Sequence, residues 1–89
     1  MTLKYELFND AIAEIEAEVA NATDHYPPFN SAHEGFSILK EEVDELWDEV
    51  RVKQGKRDVA KMRHEAMQVA AMAIRFMMDI AREEGSGQK

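Results

Sequence analysis

Glu41, Glu42 and Glu45 stand close together in the stretch "KEEVDE". Spacings of three and four set Glu42 beside Glu45, and Glu41 beside Glu45, on successive turns of a helix. Like charges placed this way destabilise a helix slightly, and a divalent cation reverses the sign. Hard carboxylate oxygens from neighbouring turns suit Mg²⁺ or Mn²⁺, which keep some of their waters and bind phosphate oxygens as well. Neither His nor Cys stands among them, so zinc is a poor fit. The wider stretch from His33 to Val50 holds seven carboxylates and one cation, Lys40. Such a run is usually a solvated acidic face, and the metal reading gains only if a second element adds ligands. Glu65 and Gln68 are candidates, sharing a helical face with Lys61. If their helix pairs antiparallel with the first, Glu65 comes level with Glu42 and Glu45.

Three helices are expected to position these groups. Tyr5, Phe8, Ile12, Ile15 and Val19 repeat as 3-4-3-4, which predicts an amphipathic helix ending near Ala22. Pro27 and Pro28 then impose an extended connection. Ser31 with Glu34 three residues on forms a capping box that starts a second helix, and Gly55, preceded by Arg51 and Lys53, reads as its stop. Within it Leu39, Val43, Leu46 and Val50 share an arc, with Glu34, Glu41, Glu45 and Asp48 roughly opposite. Glu42 and Glu49 fall between the two, and Phe36 and Trp47 form the other margin of the apolar face. The third helix starts at Asp58 or a neighbour and runs to about Glu84, leaving 85–89 as a flexible tail. Gly35 inside the second helix costs ~1 kcal/mol relative to Ala, and points to close approach by a packed helix or a ligand.

From Ala66 to Ile80 apolar residues surround almost the whole third helix, which is the pattern of a helix covered on several sides. Three short helices do not enclose it easily, so the expectation is an all-α fold of three main helices per chain, dimerising into a four-helix-bundle core. Ala70, Ala71 and Ala73 permit close approach, and Met67, Met72, Met77 and Met78 fill gaps rather than bind anything.

Residues 1–84 read as a single domain, and a chain of 89 residues hides only roughly 60–65% of the surface its unfolded form exposes. With no cysteine, neither disulfides nor thiolate metal sites reinforce it. The net charge of −7 disfavours attachment to nucleic acid polymers or anionic lipid. The opening residues lack the pattern of a signal peptide, and no window reads as a membrane span, so a cytoplasmic protein is expected. Charge is segregated: residues 51–63 carry six bases and one acid, next to the acidic stretch.

Glu41-Glu42-x-x-Glu45, a gap of nineteen residues, and Glu65-x-x-Gln68 leading into an Ala-rich apolar helix resemble the MazG-like all-α nucleoside triphosphate pyrophosphohydrolase superfamily. Its pattern is E-E-x-x-E, a variable gap, then E-x-x-D. The likeness covers about residues 31–80, and "PPFNSAHEGFSILKEEVDELWDEV" is similar to the small single-domain bacterial and phage type. The resemblance implies a dimeric four-helix bundle, Mg²⁺ dependence with Mn²⁺ as a substitute, and cleavage of a nucleoside triphosphate to monophosphate and pyrophosphate. It implies metal ligation by Glu42, Glu45 and Glu65, with Glu41 assisting. Gln68 takes the place of the family's Asp; its amide offers an oxygen without charge and holds a metal less tightly. Asp79 cannot replace it, lying about 16 Å further along the helix.

In such an enzyme Glu41 or Glu45 orients the attacking water as general base. Lys61 is the first choice for a phosphate contact, ahead of Lys56, Arg57 and Arg75. Phe29, Asn30 and His33 are candidates for holding the base. Whether dimers pair into tetramers is left open. The competing expectation is a non-catalytic helical interaction or nucleotide-binding module whose metal site Gln68 has weakened.

Overall fold

The computed structural model describes residues 3–87, with side chains for 4–80. Over that range the chain is all-helical: α1 (Leu3–His25), α2 (Ala32–Val50), a single 3₁₀ turn (Gln54–Lys56) and α3 (Val59–Gly87). No described helix is long and apolar enough to cross a membrane.

Each boundary has a local cause. α1 continues past Ala22 to His25, with Tyr26 N–H still donating to Ala22 C=O, and stops where the residue before Pro27 is pushed out of helical geometry. Ser31 caps α2, its hydroxyl accepting the Glu34 N–H at 3.0 Å. The Glu34 carboxylate reaches back to the Asn30 N–H, one residue earlier than in a standard capping box. Gly55 does not end α2. The helix stops at Val50 with Arg51 as an ordinary right-handed cap, and Gly55 lies in the 3₁₀ turn with open space around it. The terminating cation is Arg57, whose Nε donates to Val50 C=O at 2.7 Å, at the negative end of the helix dipole. Asp58 caps α3 by accepting the Lys61 N–H at 3.1 Å. α3 runs on through Gly87, beyond the expected stop at Glu84. Of the tail expected at 85–89, residues 88 and 89 lie outside the described range.

α3 is the central element, with α2 packed along one side and α1 along another. Contacts of Gly35 with Phe76, and of Glu49 with Lys61, make α2 and α3 antiparallel. The Glu14–Arg63 ion pair, and Ala22 clustered with Ala71 and Met72, make α1 parallel to α3. The core is thin: Ala22, Phe29, Ala71, Met72 and Ile80 are buried, with Ile15, Val19, Ile38, Leu39 and Phe76 packed against them. Gly35 is explained by packing, since a Cβ there would lie 2.8 Å from Phe76 Cδ2 and 2.9 Å from Phe29 Cδ2.

The apolar arc of α2 is divided. Leu39, Leu46 and Val50 are half-buried, whereas Val43 is exposed together with Phe36 and Trp47, each of those two 58% accessible. Met77, 68% accessible, is similarly uncovered on α3. The radius of gyration, 15.3 Å, exceeds the ~12 Å of a compact chain of this length. A single copy is therefore an open arrangement with much apolar surface in water.

Candidate metal and nucleotide cleft

A cleft of about 540 Å³ opens between the end of α1, the Tyr26–Asn30 connection, α2 and α3. Helical periodicity brings Glu41, Glu42 and Glu45 to one side of α2, and the antiparallel pairing presents Glu65 and Gln68 from α3. Glu42, Glu45 and Glu65 each offer an oxygen, and these lie within 4.8 Å of one another. Glu42 and Glu65 are half-buried and Glu45 is exposed. Among the described residues none of the three has an ion-pair partner.

The electrostatic consequence falls on Glu42. Burial pushes its carboxyl above the ordinary carboxylate range, and repulsion from Glu45, Glu65, Glu41 and Glu18 pushes it the same way. Three hard oxygen donors, held close and uncompensated, fit a divalent cation of the Mg²⁺ or Mn²⁺ type. Gln68 lines the same cleft, with Nε2 3.4 Å from His64 Nε2 on the preceding turn.

The opposite wall is built by the two prolines. Pro27 and Pro28 carry no N–H, so the segment cannot satisfy itself by regular structure and is tied instead to α3 side chains. Phe29 N–H donates to Asp79 Oδ2 at 3.1 Å, and Arg75 Nη2 donates to Pro27 C=O at 3.0 Å. The Arg75 guanidinium sits 4.7 Å from the centroid of the Phe29 ring and 3.9 Å from the Asp79 carboxylate. Phe29 is 6% accessible and Arg75 5%, so both are core residues that also edge the cleft.

The structure thus gathers Glu41, Glu42, Glu45, Glu65, Gln68, Phe29 and Asn30 around one cavity. Lys61 and His33 lie outside its lining. Lys61 Nζ is 4.0 Å from Glu49 Oε2, and His33 is exposed in the first turn of α2. One contributor, Glu18, is absent from the sequence reading, and two, Arg75 and Asp79, have other roles than the sequence suggests. Glu18 comes from α1; its signal was a carboxylate set three residues after Ile15 and four before Ala22, at the edge of the buried seam. Arg75 and Asp79 form an opposite-charge pair at i, i+4 inside an otherwise apolar stretch, a pattern that marks a buried, partnered pair. The chain has no significant match among protein-family models, curated proteins or solved structures.

Proposed function

We propose that the chain is a Mg²⁺-dependent nucleoside triphosphate pyrophosphohydrolase of the MazG-like all-α type, acting as a homodimer on a (d)NTP to give (d)NMP and pyrophosphate. The observation that carries this reading is the convergence of Glu42, Glu45 and Glu65, from two helices, with no ion-pair partner for any of them among the described residues. Only Arg75 and His64 bring cationic chemistry to the described lining, and the Arg75 guanidinium is engaged with Pro27, Phe29 and Asp79. The lining thus brings far less positive charge than a triphosphate carries, and a bound divalent cation would supply the balance.

Glu42, Glu45 and Glu65 would hold the cation, with Gln68 lending its amide oxygen. When bound, Mg²⁺ or Mn²⁺ supplies charge neutralisation to phosphate oxygens and makes water more acidic. Glu41, on the exposed edge of the cluster, or Glu45 takes the proton from the attacking water. The water oxygen bonds to the α-phosphorus, the bond from that phosphorus to the bridging oxygen breaks, and the electron pair leaves with pyrophosphate. Asn30 and the apolar wall of Tyr26, Pro27 and Pro28 provide a seat for the organic part of the substrate. Lys61, turned toward Glu49, has no part in this scheme.

Dimerisation is supported by the uncovered face opposite the cleft. Phe36, Val43 and Trp47 on α2 and Met77 on α3 leave apolar surface that a second copy of the helix pair would cover, completing a four-helix bundle.

The test is a screen of (d)NTPs with Mg²⁺ and with Mn²⁺, reading monophosphate and pyrophosphate separately from phosphate. Metal-dependent pyrophosphate release is expected, falling at least about a hundredfold in Glu42→Gln and in Glu45→Gln with helical content retained. Diphosphate and free phosphate as products would refute the assigned cleavage. Gln68 motivates one further reading, a binder that does not hydrolyse; it would show metal-dependent thermal stabilisation by nucleotide without product.

A further inference from the structure

Asp79 does not line the cleft, and Arg75 meets it only with a committed guanidinium, yet both send their contacts to one segment. That segment carries Tyr26, Pro27, Pro28 and Asn30 into the cavity. Its other backbone ties are the Tyr26 N–H to the Ala22 C=O, on α1, and the Asn30 N–H to the Glu34 carboxylate, on α2. The wall facing the substrate is thus fastened to α3 by one donor and one acceptor set a helical turn apart. Along α3, Arg75 lies about 15 Å from Glu65, at the end of the cleft remote from the carboxylates.

We propose that Arg75 and Asp79 are positioning residues that fix the Pro27–Asn30 wall and so set the affinity of the cleft for the organic part of a nucleotide, leaving the chemistry at the carboxylates unchanged. The inference rests on the pyrophosphohydrolase reading and deepens it.

Two conservative variants of the full chain separate this role from a merely structural one. Arg75→Lys keeps a positive charge near Asp79 but loses the planar group over Phe29. Asp79→Asn keeps an acceptor for the Phe29 N–H and loses the charge. With the (d)NTP turned over fastest, in saturating Mg²⁺, Arg75→Lys is expected to raise KM about tenfold with kcat within about twofold of wild type. Asp79→Asn is expected to raise KM by about threefold, since the neutral hydrogen bond survives. A lower melting temperature with KM unmoved in both variants overturns the proposal, as does a fall in kcat at constant KM. If wild type releases no pyrophosphate from any (d)NTP, the enzymatic reading fails separately, and hydrogen exchange of the Phe29 amide tests the wall. Its exchange relative to α3 core amides in the same sample should rise about tenfold in Arg75→Lys; an unchanged ratio overturns the fastening role.

Discussion

Two clusters of charge include residues of α3, and they are opposites. Arg75 and Asp79 are buried, of opposite sign, and matched by the Pro27 carbonyl, the Phe29 amide and the Phe29 ring. Glu65, further toward the N-terminus, is half-buried beside Glu42 and Glu45, all of one sign and none paired among the described residues. A protein of this size tolerates buried charge at little net cost only where the partners are already present. The first cluster meets that condition within the chain, and the second has no such partner among the described residues, which leaves it to water or to a bound cation. The contrast separates charge that holds the fold from charge available for function.

The sharpest way to break the first cluster is Asp79→Ala, which removes the counter-charge of buried Arg75 and the acceptor of the Phe29 N–H. It should lower stability by about 3–5 kcal/mol, read by urea unfolding. For the second cluster, Mg²⁺ at a hundred times its dissociation constant should stabilise wild type by about 2.7 kcal/mol over the protein in EDTA, and Glu45→Gln should lose most of that gain in thermal melts. Gly35→Ala probes the packing that joins the two. Overpacking against Phe29 and Phe76 costs about 1–3 kcal/mol, partly offset by the ~1 kcal/mol helix preference of Ala, so a net loss near 1 kcal/mol is expected by denaturant midpoint.

The smallest effect has the most informative sign. Glu42 titrates above its unfolded value, so the folded state binds its proton more tightly. Its contribution to the stability of metal-free protein is fully present below the ordinary Glu pKa of 4.5 and is lost as pH rises through the elevated folded value. In EDTA, Glu42→Gln should therefore gain stability relative to wild type as pH is raised from 4.5 to 8, read by paired thermal melts. Adding Mg²⁺ at neutral pH should reverse that order. A wild-type advantage in EDTA at neutral pH would show that Glu42 has a protein cation partner.

The carboxylate cluster was legible because spacing on one helix is fixed by 3.6 residues per turn, and Glu65 followed once antiparallel pairing was assumed. The three helices followed from apolar periodicity, from Ser31 and from the two prolines. Gly55 misled, because glycine is a common helix stop but not a required one, and the Arg57 guanidinium served the terminal carbonyl from beyond the turn. From sequence Arg75 is a lesser candidate for a phosphate contact, and Asp79 lies too far along the helix to replace Gln68. Their actual partners are backbone atoms of residues 27 and 29, and no periodicity encodes a contact across some fifty positions of chain. Glu18 was hidden for the same reason, since its place depends on how α1 lies over α3.

The bare backbone at Gly35 acts as a notch that stops α2 and α3 from sliding. Phe76 seats against it, Glu65 stands about 16 Å from Phe76 along α3, and Glu45 about 15 Å from Gly35 along α2, in the direction antiparallel pairing requires. A ring against a missing methyl group thereby calibrates how closely three distant oxygens can approach, and a slip of one turn, ~5.4 Å, would empty the notch and scatter them together.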